Sequence, residues 1–291
     1  MKRRRKSRGT PPNDPPAKRR LPPKTNLSEG ILTEITVNGI KLSYLDEGSG
    51  NTVLLLHGWG SSKEIWRPFI NALSSELRFV ALDFPGCGKS DLPANPLDTD
   101  DYAALTAEFI DRLGLKNVSL VGHSHGGRVA MKLAGEGIVS PRRMVLIDAA
   151  GVKPKKSLKK SFKIACYKTA RRVLTLPPLK NRTADTLDRL RAHFGSQDYR
   201  DAPEVMRKTL VKLVNDDVTP ILGNITCPTF LIWGDKDTAT PLYMAHTIES
   251  RIKDTGLCVY EGTGHFSFIE QPGRTTAILR SFLGGKDDEN S

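Results

Sequence analysis

The chain has 291 residues, 38% of them apolar, enough for one substantial core plus a small insertion. No apolar run approaches the roughly 20 residues of a membrane span. Four cysteines (Cys87, Cys166, Cys227 and Cys258) without C-x-x-C spacing fit reduced thiols in a cytoplasmic protein better than a secreted disulfide framework. The net charge of +12 is unevenly spread: residues 1–24 carry +9 and residues 153–182 carry +11, which leaves −8 for the remainder. A faintly acidic body with two strongly basic segments is expected.

In chain order, residues 1–27 form an Arg-, Lys- and Pro-rich tail with almost nothing to bury, so disorder is expected there. Its basic start leads into prolines rather than an apolar stretch, unlike a signal peptide. Ile31–Val37 and Ile40–Leu45 read as strands joined at Asn38-Gly39, a hairpin signal. From Thr52 strands alternate with helical patterns: strands at Thr52–Leu56, Arg78–Asp83, Val118–Val121 and Arg143–Asp148, and helices at Lys63–Leu73, Asp100–Leu113 and Gly126–Gly135. Such alternation predicts a parallel sheet covered on both faces.

After Asp148 the alternation stops for about eighty residues, too long for a structureless loop. A helical cap over residues 152–222 is expected, between core parts at 28–151 and 223–285. Within it Leu158, Phe162, Ala165, Thr169, Val173 and Leu176 mark one helical stripe, with Lys156, Lys159, Lys160 and Lys163 opposite. Further cap helices are expected at Thr183–Phe194 and Ala202–Val214. The core resumes with strands at Thr229–Gly234 and Cys258–Glu261 and helices at Met244–Lys253 and Arg274–Phe282, before an acidic tail, 286–291, that should fray. The fold class is therefore α/β: a mostly parallel twisted sheet of about eight strands, helices on both faces, and a helical cap inserted after the sixth strand.

Chemistry concentrates just past strand ends, where open parallel sheets gather their sites. Val118–Val121 runs into Gly122-His123-Ser124-His125-Gly126 and at once into a helix, a sharp turn that exposes the serine hydroxyl. Asp235-Lys236-Asp237 follows the next-to-last strand, and Gly264-His265 the last. Serine, acid and histidine in that order resemble the α/β-hydrolase superfamily, in its serine-nucleophile branch, from about Ile31 to Leu283. His57-Gly58-Trp59-Gly60, Asp83-Phe84-Pro85-Gly86-Cys87-Gly88-Lys89-Ser90, Gly234–Asp237 with Pro241, and Gly264-His265-Phe266 with Pro272 resemble further family loops.

The resemblance implies Ser124 as nucleophile, His265 as base, and an acid to orient it. The family pattern selects Asp237, three residues after the glycine. Asp148 competes, because some members carry their acid after the preceding strand, and Asp235 is expected to order the turn. Backbone N–H groups of Trp59 and His125 would form the oxyanion hole, and His57 would hold that loop by hydrogen bonds. Many relatives carry Met or Leu where His125 stands, so a polar group here faces the acyl pocket. The three clustered histidines lack the further ligands of a metal site, and the Gly-rich turn lacks a phosphate-loop signature, so neither metal nor cofactor is expected.

The implied activity is cleavage of a small-molecule ester, or less often an amide, through an acyl-enzyme. Carbon–carbon bond hydrolysis or another lyase-like reaction on the same triad, and a non-catalytic binding protein, are the alternatives. Residues 1–24 and 153–182 suit peripheral contact with an anionic membrane surface; equally, the cap stripe packs on the core and its lysines are solvated. No specific nucleic-acid motif accompanies the charge. The substrate is not legible, because the expected cap contains no recognisable motif.

Overall fold

The computed structural model describes residues 33–154 and 202–285. The expectations for both tails, for the stripe through Leu158–Leu176 and for the helix at Thr183–Phe194 lie outside the described residues.

Eight strands form one sheet: β1 (Thr33–Val37), β2 (Ile40–Gly48), β3 (Asn51–Leu56), β4 (Leu77–Leu82), β5 (Ser119–His123), β6 (Met144–Ile147), β7 (Thr229–Gly234) and β8 (Thr255–Tyr260). Their spatial order is β1-β2-β4-β3-β5-β6-β7-β8. β1 pairs antiparallel with β2, and β2 with β4; every other pair is parallel. The hairpin at Asn38-Gly39 forms as its sequence demands, with φ of 48° and 77° at the two turn residues.

The helices are α1 (Arg67–Leu73), α2 (Thr99–Arg112), α3 (His125–Gly135), α4 (Glu204–Leu213), α5 (Tyr243–Glu249), α6 (Ser267–Glu270) and α7 (Pro272–Gly284), numbered among the described residues. Because strand side chains alternate, successive residues feed opposite cores. Leu54, Leu56, Val80, Leu82 and Leu120 pack with α2, α3 and α5 on one face. Val53, Leu55, Phe79, Ala81 and Val121 pack with α1 and α7 on the other. Burial on both faces is why these strands read as continuous apolar runs rather than alternating ones.

Element ends differ from the sequence expectation at several points, among them β2, which runs on to Gly48, and α7, which spans Pro272–Gly284. The first helix opens as a 3-10 turn over Lys63–Trp66 before α1. Helix α5 stops at Glu249, four residues short of Lys253. Strand β8 starts at Thr255 rather than Cys258, because pairing with β7 from Thr229 recruits Thr255-Gly256-Leu257, which lacks the apolar character of a strand read alone.

Helix α4, close to the helix expected at Ala202–Val214, docks on the core beside the Gly-rich turn. Thr209 Oγ1 accepts from Leu97 N–H at 3.0 Å, Lys212 pairs with Asp98 at 3.3 Å, and Met206 fills the space a side chain at Gly86 would need. Val218, Leu222 and Ile225 are buried in the α3-side core, and Val218 N–H donates to Gly151 O at 2.9 Å. That bond ties the chain's departure from the sheet to its return.

Candidate active site

Ser124 sits between β5 and α3 with φ 50° and ψ −112°, a conformation that L-residues rarely adopt and that stores backbone strain. Three hydrogen bonds hold it there: Ser124 N–H to Ile147 O at 3.0 Å, and its carbonyl from Arg128 N–H and Ala150 N–H at 3.2 and 2.9 Å. The turn closes only because its flanking residues lack side chains. A Cβ on Gly126 would lie 2.1 Å from Leu56 O, and one on Gly122 would lie 2.6 Å from the Gly126 carbonyl carbon.

His265, in the loop from β8 to α6, places Nε2 3.0 Å from Ser124 Oγ and Nδ1 2.7 Å from Asp237 Oδ2. An ionised carboxylate only accepts, so Nδ1 carries the proton and Nε2 is free to accept from the serine. The Asp237 side chain is fully buried. Burial alone would raise its pKa, but hydrogen bonds from His265 and Thr240 hold the carboxyl below its usual range. Its Oδ1 accepts from Ala239 N–H and Thr240 N–H at 2.7 and 2.9 Å, so the turn's own backbone fixes it.

Asp148 has another set of partners. At the end of β6, with φ 44°, its Oδ1 accepts from Gly234 N–H at 2.9 Å and its Oδ2 from Ser267 N–H and Oγ–H at 3.1 and 2.7 Å. Burial pushes its pKa up to about 6, against the pull of those bonds. It braces β7 and α6 instead of His265. Asp235 accepts from Gly262 N–H at 2.7 Å and orders the turn, as expected of it.

The His57-Gly58-Trp59-Gly60 loop lies against Ser124: a Cβ on Gly58 would stand 3.2 Å from Ser124 Cβ and 2.7 Å from His123 Nδ1. His57 Nδ1 donates to Gly58 O at 2.7 Å, and Nε2 accepts from Phe84 N–H at 3.0 Å, so the ring holds the loop. Among the described residues, the backbone N–H groups of Trp59 and His125 donate no hydrogen bond; His125 is the first residue of α3, where helical partners are missing. A cavity of about 250 Å³ lies beside Trp59 and Gly60, bounded by Cys87, Pro203 and Met206.

Four contributions went unread in the sequence. His123 Nε2 donates to His265 O at 2.8 Å and steadies the histidine loop; burial depresses its pKa to about 3, so the ring stays neutral. Thr240 Oγ1 lies 2.6 Å from Asp237 Oδ2 and 3.0 Å from Asp148 O, bridging the two acid loops. A threonine three residues after an aspartate in a turn was the available signal for it. Ser267 links α6 to Asp148, as above. Lys63, expected on a helix, is 2% exposed and pairs with Asp83 at 2.5 Å, while its own N–H donates to Asp83 Oδ1 at 2.6 Å. Among the described residues no three His, Cys, Asp or Glu side chains group as a metal site requires.

A strained serine turn between strand and helix on a mostly parallel eight-stranded sheet, with a histidine and an acid from the ends of the last two strands, defines the class. The chain belongs to the α/β-hydrolase family: residues 53–278 match the family described as "Alpha/beta hydrolase family". Among solved structures it is similar to an esterase from Exiguobacterium antarcticum, at 27% identity and TM-score 0.70, over 88% of this chain and 100% of that one. Among curated proteins it is similar to the 2-hydroxy-6-oxo-6-phenylhexa-2,4-dienoate hydrolase of Comamonas testosteroni, 27% identical over 89% of this chain and 99% of that protein. It is also similar to the pimeloyl-[acyl-carrier protein] methyl ester esterase of Aliivibrio salmonicida, 25% identical over 85% and 97%. No described helix is long and apolar enough to cross a membrane.

Proposed function

We propose that the protein is a serine hydrolase that cleaves a small-molecule ester through an acyl-enzyme. One observation carries this: Ser124 Oγ, His265 and Asp237 form a continuous hydrogen-bonded series of 3.0 and 2.7 Å at the ends of three strands. His265 Nε2 takes the serine proton as Oγ attacks the ester carbonyl. The resulting oxyanion is received by the backbone N–H groups of Trp59 and His125, each worth about 3–4 kcal/mol in the transition state. His265 then protonates the departing alkoxide, which leaves as the alcohol. A water molecule, deprotonated by the same nitrogen, releases the acid and restores Ser124. Asp237 keeps Nδ1 protonated and stabilises the transient imidazolium. The cavity beside Trp59 is positioned to take part of the substrate.

Labelling with a fluorophosphonate, read by intact mass, tests the reading. The native chain is expected to gain one adduct and Ser124→Ala none, with unchanged circular dichroism. An adduct that persists in the alanine variant defeats the assignment. The likeness to the dienoate hydrolase of Comamonas testosteroni supports a second reading, carbon–carbon bond hydrolysis on the same residues. Poor turnover of aryl esters alongside efficient cleavage of a vinylogous 1,5-diketone acid would favour it.

The helical cap over 152–222 and peripheral contact with an anionic surface belong to the same proposal. The charge of residues 1–24 and 153–182 supports the second point, at about 1 kcal/mol per basic side chain near an acidic bilayer. Co-sedimentation should then need acidic vesicles, weaken as salt rises, and drop when residues 1–24 are deleted. Equal recovery with neutral vesicles removes the idea.

A further inference from the structure

We propose that His125 and Arg128 form a subsite that receives a carboxylate of the substrate beside Ser124; the inference rests on the ester-hydrolase reading and narrows its substrate class. The two residues are one helical turn apart on the same face of α3, and α3 begins at the nucleophile. Helical side chains lean toward the N-terminus, and the Arg128 charge is near enough to act on the His125 ring. Both are buried, at 4% and 8% exposure.

Neither residue is fully satisfied in that position. Both ring nitrogens of His125 and Nε of Arg128 are closed to solvent and have no hydrogen-bond partner. No carboxylate among the described residues lies within ion-pair distance of Arg128; Asp216 acts on it only at longer range. Around His125 stand three aromatic rings, Trp59, Phe84 and Tyr102, with centroids 6.3, 5.2 and 4.6 Å away, and none of them hydrogen-bonds a ring nitrogen. More than nine in ten buried polar groups in proteins find a partner, and an unpaired buried charge is costlier still. Two such exceptions side by side, one and four residues after the nucleophile, mark groups whose partner is a ligand.

The chemistry of the pair selects that ligand. A guanidinium is permanently charged and presents only donors in a planar fork. Burial and the neighbouring Arg128 charge keep the His125 ring neutral, so it supplies one N–H. A single charge with planar acceptors, a carboxylate, complements both and matches the fork bidentately. The subsite lies at the seam between core and insertion: Gly151, where the chain leaves the sheet, packs over the Arg128 backbone and is bonded to Val218 on the return. Trp59 both faces His125 and lines the 250 Å³ cavity, so its ring is what separates the two. The substrate class is therefore a monoester of a dicarboxylic acid, or an ester whose alcohol part is acidic.

Two p-nitrophenyl esters of equal length, the adipate monoester and the neutral hexanoate, supply the test. The native chain should show the higher kcat/KM on the anionic ester, and Arg128→Leu should lower the anionic-to-neutral ratio about 10–100-fold, mainly through KM, as expected for loss of a charged hydrogen bond. Arg128→Lys should recover part of that ratio, and His125→Leu, which keeps the backbone N–H, should lower it less. An equal ratio in the native chain and in Arg128→Leu, or a native preference for hexanoate, overturns the proposal. If neither ester is hydrolysed, calorimetry with adipate monoamide against hexanamide separates the two readings. Binding of the anion that disappears in Arg128→Leu upholds the subsite while the ester reading falls, and no binding of the anion overturns the subsite as well.

Discussion

Two buried aspartates lie within reach of the same loops, and their hydrogen bonds divide the work between them. Asp237 accepts from His265 Nδ1, whereas Asp148 spends both oxygens on Gly234 and Ser267. Asp237→Asn should therefore lower kcat by about 10⁴, because an amide that donates toward Nδ1 favours the wrong tautomer. Asp148→Asn loses an acceptor for one of its donors, a cost of about 1–3 kcal/mol in stability, with a far smaller effect on kcat. Paired measurements of kcat and urea unfolding on the two variants check this. A crippled Asp148→Asn beside a nearly normal Asp237→Asn would reverse the roles. From sequence spacing the choice among Asp148, Asp235 and Asp237 rested on family pattern, because hydrogen-bond partners 28 and 119 residues away leave no local trace.

At the scale of elements, the 3-10 turn at Lys63, the turn after β4 and the loop after β3 are joined through one buried ion pair. Asp83 accepts from Lys63 Nζ, Lys63 N–H and Lys89 N–H, and the neighbouring Phe84 N–H donates to His57. Removing one partner strands the other charge in the core. Lys63→Met should thus cost roughly 3–5 kcal/mol, and adding Asp83→Asn, which removes the stranded charge and keeps an acceptor for Lys63 N–H, should recover part of that loss. Chemical denaturation of both variants reads the result; a single variant as stable as the native chain would show that the pair contributes nothing. In the sequence Lys63 looks like a surface residue opening a helix. Its burial follows only from how β2, β3 and β4 bring Ser43 and Asp83 to it, at 3.0 and 2.5 Å.

For the molecule as a whole, three buried histidines set the response to acid. Burial lowers the pKa of His57, His123 and His125. Below the ordinary histidine value of about 6.5, the unfolded chain binds protons that the native state refuses. Stability from these groups is present above that pH and is lost as pH falls, by about 1.4 kcal/mol per unit for each ring; for His123 the loss runs down to about 3. Asp148 has the opposite sign: its pKa, raised to about 6, lets the native state hold a proton the unfolded chain releases above about 3.9, which offsets one ring between those limits. Two rings remain uncompensated, so the urea midpoint should fall steadily from pH 7 to pH 5. A flat profile would mean that the rings take up protons while folded. His57→Gln, which keeps an amide donor and acceptor, should flatten part of the slope.

The order of serine, acid and histidine, the hairpin at Asn38-Gly39, the glycines of the elbow and the alternation of strand and helix were all legible from the residues alone. Each depends on local geometry, or on the rule that a parallel sheet gathers its strand ends along one edge. Tertiary structure alone decided what occupies Asp148, that Lys63 is buried, and that the His125 ring nitrogens and Arg128 Nε are enclosed without partners. Those outcomes depend on which side chains from distant segments arrive at one point, and a hydrogen bond made or missed across a hundred residues has no periodicity or composition to announce it.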